Sequence, residues 1–498
     1  MLLAGGTLID GTGAPRRQGD VLISGQTIAA VGAFDAPAGV QRLDCSGLVV
    51  CPGFIDAHSH SDLQVLSDRM EKIRQGVTAE VVGNCGFSPY PALSHRHELH
   101  EFANGIFCGG DEWGWATAHD YLTDLQRSSK YSTAASLVGH GTLRIAFAGA
   151  RLGPLAESEL DRMEAFLDDA LSEGAAGLSS GLMYAPGSSA PREELERLCR
   201  VVTRKDKVYC SHIRDYSFHL EEAVDEQLDL ARRTDCRLQI SHLQAVGQMN
   251  WHRQQIALEK IEQARAEGVD VAFDCYPYIA GSTVLTQLLP QAALDGGTAG
   301  LLQRLSDSNS RARIADETVA NLPHQWSDIV ISAVASAGNQ ALVGQNMEQI
   351  AEARNRLPVD ALLDILLEEH GEANMISFNQ SEENLRQTLS HPLSLVISDG
   401  FYVKGRPHPR LYGTFPRLLG TIARDRQWMS LETAIHKVTG SPAERFQFKN
   451  RGLLRSGFFA DLVVFDPNTV DSPATFENPE TPPQGIRYVF RNGAIAVQ

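Results

Sequence analysis

The chain has 498 residues, 43% hydrophobic and 21% charged, the proportions of an ordinary globular protein with room for one large domain and a smaller partner. Asp plus Glu (61) outnumber Lys plus Arg (44), and the resulting net charge of −17 argues against nucleic acid or an anionic membrane as a partner. No apolar run approaches the roughly 20 residues of a membrane helix. The opening Met1-Leu2-Leu3-Ala4-Gly5-Gly6-Thr7 lacks the basic-then-apolar pattern of a secretion signal. The eight cysteines (45, 51, 85, 108, 199, 210, 236 and 275) have no CxxC spacing, so free thiols and a cytoplasmic location are expected.

From the N-terminus, short apolar runs separated by Gly-rich turns, such as Gly6-Thr7-Leu8-Ile9-Asp10-Gly11 and Asp20-Val21-Leu22-Ile23-Ser24-Gly25, read as hairpin strands. Eight further apolar runs then alternate with helical stretches: residues 54–60, 79–85, 134–140, 176–181, 208–214, 238–244, 271–277 and 393–400. Eight such units predict an α/β fold, a (β/α)8 barrel of the TIM type, and the later runs are spaced at about thirty residues, the length of one βα unit. The seventh gap is much longer. It holds an amphipathic helix over 359–369 after Pro358, and residues 283–348 are expected to form an insertion able to cover the barrel mouth. After a Pro-rich stretch at 467–484, strand patterns return at the C-terminus. Residues 1–52 and 448–498 are therefore expected to build one small β-sandwich domain, and 53–447 the barrel.

His58 and His60 stand two apart on the first barrel run, so both imidazoles face one side. Cys85 closes the second run, His212 lies on the fifth, His242 on the sixth, and Asp399 closes the eighth. Singly, each has an ordinary structural role: a histidine bonded to a carbonyl, a small buried thiol, a turn residue before Gly400. Together they occupy strand ends that converge at the mouth of a barrel. Four imidazoles, one thiolate and one carboxylate suit zinc rather than magnesium or calcium. His140, at the end of the third run, fits a ligand or a structural role equally well.

The segments Gly83-Asn84-Cys85-Gly86-Phe87-Ser88-Pro89, Ser211-His212-Ile213-Arg214-Asp215, Asp274-Cys275-Tyr276-Pro277-Tyr278 with Gly281-Ser282-Thr283, and Ser398-Asp399-Gly400 through Arg406-Pro407-His408-Pro409-Arg410 resemble the N-acyl-D-amino-acid deacylases, or D-aminoacylases, of the amidohydrolase superfamily. The likeness runs through nearly the whole chain, to the Ala460-Asp461-Leu462-Val463-Val464-Phe465 ending. It implies a small-molecule amide substrate and one tightly held zinc on Cys85, His212 and His242. A second, weaker metal site would use His58, His60 and Asp399, with the Cys85 thiolate able to bridge. Asp399 would serve as the catalytic base that takes a proton from water and passes it to the departing amine. Many superfamily members carry a carboxylated lysine on the fourth strand, whereas Ala176-Gly177-Leu178-Ser179-Ser180-Gly181 has none, consistent with Cys85 in its place.

The resemblance matches Tyr184 to the substrate-carboxylate site, and Tyr276 or Tyr278, Ser282, and Arg214 or Arg406 are further candidate donors. Many relatives have a lysine two residues after the sixth-strand histidine; this chain has Gln244. The stretch between Ser282 and Arg304 includes Val284, Leu285, Leu288, Leu289 and Leu294 and no cation, which points to apolar rather than acidic D-amino-acid derivatives. Two other readings stand beside this one: a cyclic-amide hydrolase resembling a hydantoinase or dihydropyrimidinase, and a metal-free barrel scaffold.

Overall fold

The computed structural model describes residues 1–35, 37–108 and 112–498. Eight parallel strands follow one another round the barrel: Phe54–Asp56, Val77–Val82, Thr133–Gly139, Gly177–Gly181, Val208–His212, Arg237–Ile240, Val271–Cys275 and Ser394–Val396. The first and eighth meet through a parallel bridge between Ser59 and Gly400, with Asp399 N donating to His58 O at 2.9 Å. Strands such as Val77–Val82 and Val208–His212 are buried at every residue, as a parallel sheet covered on both faces requires. The outer helices carry the matching stripe. In Leu220–Thr234, Ala223, Val224, Gln227, Leu228 and Ala231 face inward, while Glu221 and Glu222 in the first turn and Arg232 and Arg233 in the last complement the helix dipole.

The two termini form a second, eight-stranded sheet in which Val49–Pro52 pairs with Leu462–Phe465. Its faces follow the period of two. Val50, Leu462 and Val464 join Leu8, Val21 and Phe490 in the sheet's own core, whereas Val49, Cys51, Val463 and Phe465 pack on Phe415, Leu418 and Ile422 beside the barrel.

Between the seventh and eighth barrel strands the chain makes a three-stranded antiparallel sheet, Ala280–Val284, Ile329–Val334 and Ala373–Phe378, reaching to either side of residues 283–348. With helices Gly297–Ser306, Ser308–Asn321 and Pro358–Glu368 it encloses a separate core around Leu285, Leu305, Ile331 and Leu362. Pro358 opens its helix at the first position, where a missing N–H costs nothing. No helix among the described residues is long and apolar enough to cross a membrane. All eight cysteines are free.

Candidate metal centre and active site

Three of the expected site residues leave their strands in the left-handed region: Cys85 (φ 53°), His242 (φ 33°) and Asp399 (φ 49°). That conformation is uncommon outside glycine and is kept where surrounding structure enforces it, often at functional sites. Each residue sits just past a strand end, so the turn redirects its side chain into the barrel mouth. Around Cys85 the bend is eased by Gly83 (φ 81°) and Gly86 (φ 80°), and Gly86 N donates to Ser179 Oγ at 3.0 Å. Gly139 lies beneath this loop: a Cβ there would stand 2.5 Å from Gly86 O. Gly139→Ala is accordingly expected to destabilise the protein by about 1–3 kcal/mol, the usual cost of overpacking, and to lower metal retention through displacement of Cys85. Denaturant unfolding and metal content measured on the same preparation check it.

Cys85 Sγ lies 3.3 Å from His58 Nε2 and 3.5 Å from His242 Nε2. His58 Nε2 and His60 Nε2 are each 3.3 Å from Asp399 Oδ1. Donor atoms of His58, Cys85 and His242, and likewise of His58, His60 and Asp399, lie within 4.8 Å of one another, all from buried residues. His58 thus belongs to both groups. His212 joins neither: its ring packs 4.6 Å from that of His242 and 4.8 Å from that of Tyr184. Both of its nitrogens are buried without a hydrogen-bond partner, as are Nδ1 of His60 and His242. Nitrogen, sulfur and carboxylate donors gathered from different strands and left unsatisfied by protein are the donor chemistry of a zinc centre.

Electrostatics keep most of these groups ready to ligate. Burial pushes the imidazoles of His60, His212 and His242 below their usual range, His242 to about 4, so they are neutral. Burial also lowers His58, but Cys85, Asp274 and Asp399 outweigh it and raise that ring well above its usual value. Cys85 is pushed up by burial, with His58 opposing. Burial would raise Asp399 too; Arg410 first and then His58 overcome it and hold the carboxyl well below the ordinary range.

A cavity of about 360 Å³ opens onto these groups, a size suited to a small ligand. Tyr184, Arg214, Gln244, Tyr276 and Ser282 line it. Tyr184 Oη is 2.9 Å from Thr283 Oγ1, Tyr276 donates to Gln244 Oε1 at 2.9 Å, and Ser282 donates to Met375 O at 2.9 Å. Arg214 is already engaged, pairing with Glu226 at 2.9 Å and donating to Ser188 O at 2.5 Å. Two expected contacts lie elsewhere. Tyr278 turns toward Pro409 and packs on His408 and Arg417, because the chain leaves the seventh strand at Cys275. Arg406 lies against Gly344, where Gly405 bridges the three-stranded sheet at Ala333. His140 takes the structural option: it begins helix His140–Ala148, and its Nε2 lies 2.7 Å from Glu194, which also binds Arg144 at 2.8 Å.

A model of the amidohydrolase family matches residues 41–497. This chain belongs to the amidohydrolase family. It is 37% identical over 496 residues to a D-aminoacylase of Alcaligenes xylosoxydans xylosoxydans, covering 99% of this chain and 93% of the relative. An N-acyl-D-glutamate deacylase of the same organism is 36% identical over 495 residues, 99% and 92% of the two chains. Among solved structures, an N-acyl-D-glutamate deacylase from Bordetella bronchiseptica, complexed with zinc and a phosphonate inhibitor, superposes with a TM-score of 0.85 at 34% identity, covering 99% and 95%.

The fold of this amidohydrolase adds three site features absent from the sequence-derived set. Arg410, 1% exposed, lies 2.9 Å from Asp399 Oδ2 with its guanidinium 4.6 Å from the centre of the Tyr276 ring. Asp274 accepts from the main-chain N of His242 at 2.6 Å and lies 3.5 Å from His58 Nδ1, so one carboxylate stands beside two candidate ligands. Buried Lys72 bridges Asp56 and Ser398, while Asp56 accepts from Ser398 N at 2.9 Å. That cluster locks the ends of the first and eighth strands next to His58 and Asp399. Arg410 and Asp274 stand in the motif segments read above, and acidity at a strand end was the available signal for Asp274.

Proposed function

We propose that this chain is a zinc-dependent N-acyl-D-amino-acid deacylase, a hydrolase that cleaves a linear amide to release a carboxylate and a free D-amino acid. The observation that carries the reading is the joining of His58, His60, Cys85, His242 and Asp399 in two compact, buried, overlapping donor groups at the cavity floor. Cys85 and His242 with His212 would hold the tight ion. His58, His60 and Asp399 would hold the weaker one, with His58 and Cys85 close enough to serve either. Zinc bound there would supply an activated water, its pKa lowered to about 7, and would polarise the amide carbonyl.

The chain's own groups do the rest. Asp399, kept ionised by Arg410 and His58, accepts a proton at its carboxylate oxygens and delivers it to the departing nitrogen, without which an amine leaves poorly. Arg410 presents a planar guanidinium whose Nε has no hydrogen-bond partner among the described residues, and it fits the bidentate demand of a substrate carboxylate, with Tyr276 and Gln244 beside it. Arg410→Lys is expected to lower kcat/KM about 10–100-fold, mainly through KM, because an ammonium neither forks nor stacks. Steady-state kinetics on one N-acetyl-D-amino acid check it.

Of the arginines that line the cavity, Arg214 already faces Glu226 and Arg410 is assigned to the substrate's own carboxylate, while Leu288, Leu289, Leu322 and Met375 give part of the lining an apolar surface. We therefore favour apolar D-amino acids, since an acidic side chain would be buried without its own cation. The eight free thiols suit a reducing, cytoplasmic setting. In this reading residues 53–447 are the catalytic barrel, 283–348 cover its mouth, and 1–52 with 448–498 form the supporting domain. A cyclic diamide would leave Arg410 without a carboxylate, and a scaffold would not need buried, unsatisfied imidazoles.

The test is amine release from paired N-acetyl-D and N-acetyl-L amino acids by zinc-loaded and chelated protein. Hydrolysis of N-acetyl-D-leucine that stops on chelation and returns with zinc is expected, with the D-glutamate analogue at least about tenfold slower. Preference for the L series would sink the assignment.

A further inference from the structure

A second cavity, of about 400 Å³, lies beside the first and is separated from it by the side chains of Met183, Tyr184 and Gln287, which line both. Its inner wall is apolar: Phe87, Phe102, Ile145, Val284 and Leu301. The Phe87 ring stacks on Phe102 at 4.4 Å and meets Tyr184 edge-on at 5.1 Å, so one aromatic wall runs from the metal ligands into the second cavity. Its rim is acidic, with Glu98, Glu101 and Glu372. The partition is light. Gln287 Nε2 reaches Met183 Sδ at 3.5 Å, and a thioether with three rotatable bonds yields readily.

Barrel topology says which part of a substrate would enter. Gln244, Tyr276 and Arg410 follow the sixth, seventh and eighth strands, so a carboxylate held there places the amino-acid half on that side of the metal ligands. Phe87, Ile145 and Met183 follow the second, third and fourth strands, across the mouth. With the scissile amide at the ligands, the acyl group points away from Arg410 and toward Tyr184 and Met183. We infer that the second cavity receives the acyl chain, so that this enzyme acts on D-amino acids bearing medium-length, unbranched, uncharged acyl groups. The apolar wall favours methylenes, and the acidic rim repels a terminal carboxylate. The inference rests on the deacylase reading and goes beyond it in naming the acyl class.

The experiment is a chain-length series on one amino acid, N-acetyl- through N-decanoyl-D-leucine, with an N-acyl chain ending in a carboxylate as the charged control. From butanoyl to octanoyl, kcat/KM is expected to rise at least about tenfold, as burial of added methylenes requires, and the charged chain to fall at least about tenfold below its neutral counterpart. Thr298→Trp and Ala299→Trp, two independent substitutions on the first turn of helix Gly297–Ser306, fill the second cavity from its outer wall. Each is expected to erase the octanoyl advantage and leave acetyl turnover unchanged, which also reports a folded enzyme. A flat or falling chain-length profile, or equal loss on acetyl and octanoyl substrates in both variants, overturns the acyl pocket while acetyl-D-leucine hydrolysis stands. If no acyl-D-leucine is hydrolysed, the deacylase reading and this inference fall together.

Discussion

Asp399→Asn is expected to lower kcat on N-acetyl-D-leucine about 10³-fold with KM nearly unchanged, within the range a positioned general base contributes. The substitution keeps the side chain's shape and one oxygen but removes the charge and the basic site. It also strips Arg410, 1% exposed, of its carboxylate partner at 2.9 Å. A buried cation left alone destabilises a protein by about 3 kcal/mol, so the same variant should unfold at lower denaturant concentration. The two effects separate in a double variant. Asp399→Asn with Arg410→Met removes the orphaned charge and should recover much of the stability, whereas activity should stay lost because no base has been restored. Retention of more than a tenth of wild-type kcat by Asp399→Asn, with zinc bound, would remove it as the proton carrier.

The barrel was legible because its strands are buried on both faces and therefore written as unbroken apolar runs, each closed by polar residues or glycine. The same feature made the candidate donors legible: His58, His60, Cys85, His242 and Asp399 stand just past the ends of strands Phe54–Asp56, Val77–Val82, Arg237–Ile240 and Ser394–Val396, where a barrel gathers its chemistry. What periodicity could not reveal is direction beyond a strand end. Tyr276 and Tyr278 are two apart and would share a face on a continuing strand, yet the strand stops at Cys275 and only Tyr276 lines the cavity. Arg406 and Arg410 stand in one irregular segment with no repeat to orient them. The structure turns Arg410 inward because helix Arg410–Arg417 starts there, and leaves Arg406 on the three-stranded sheet. Nor does composition show that Cys85, His242 and Asp399 take left-handed backbone angles; that depends on hydrogen bonds from neighbouring strands, such as Leu243 N to Asp274 O at 2.9 Å. His212 is the remaining lesson. Its strand position matches a ligand, while its ring lies outside both compact donor groups.

Cys85→Ala should separate a metal centre from a fortuitous cluster. The thiol is 3% exposed and lies within 3.5 Å of both His58 and His242, so its loss removes the one soft donor that touches both imidazoles. Loss of an outer partner to a ligand already costs about 10–100-fold in metal affinity, and loss of a ligand should cost at least about 100-fold. After dialysis the variant should hold less than a tenth of the wild-type zinc and lose deacylase activity in proportion, with partial return at high added zinc. Stability supplies an independent readout. A ligand at about 1,000 times its Kd stabilises the folded state by about 4.1 kcal/mol, so zinc should raise the wild-type melting temperature and leave Cys85→Ala nearly unmoved. Cys210→Ala is the control, since Cys210 is equally buried but sits in the barrel core with Ala57, Val81 and Leu137 rather than against a histidine. It should keep its zinc. Should Cys85→Ala bind zinc as tightly as the wild type, the ion must rest on His58, His60 and Asp399 alone. The fourth-strand lysine that this chain lacks would then have no thiolate standing in for it.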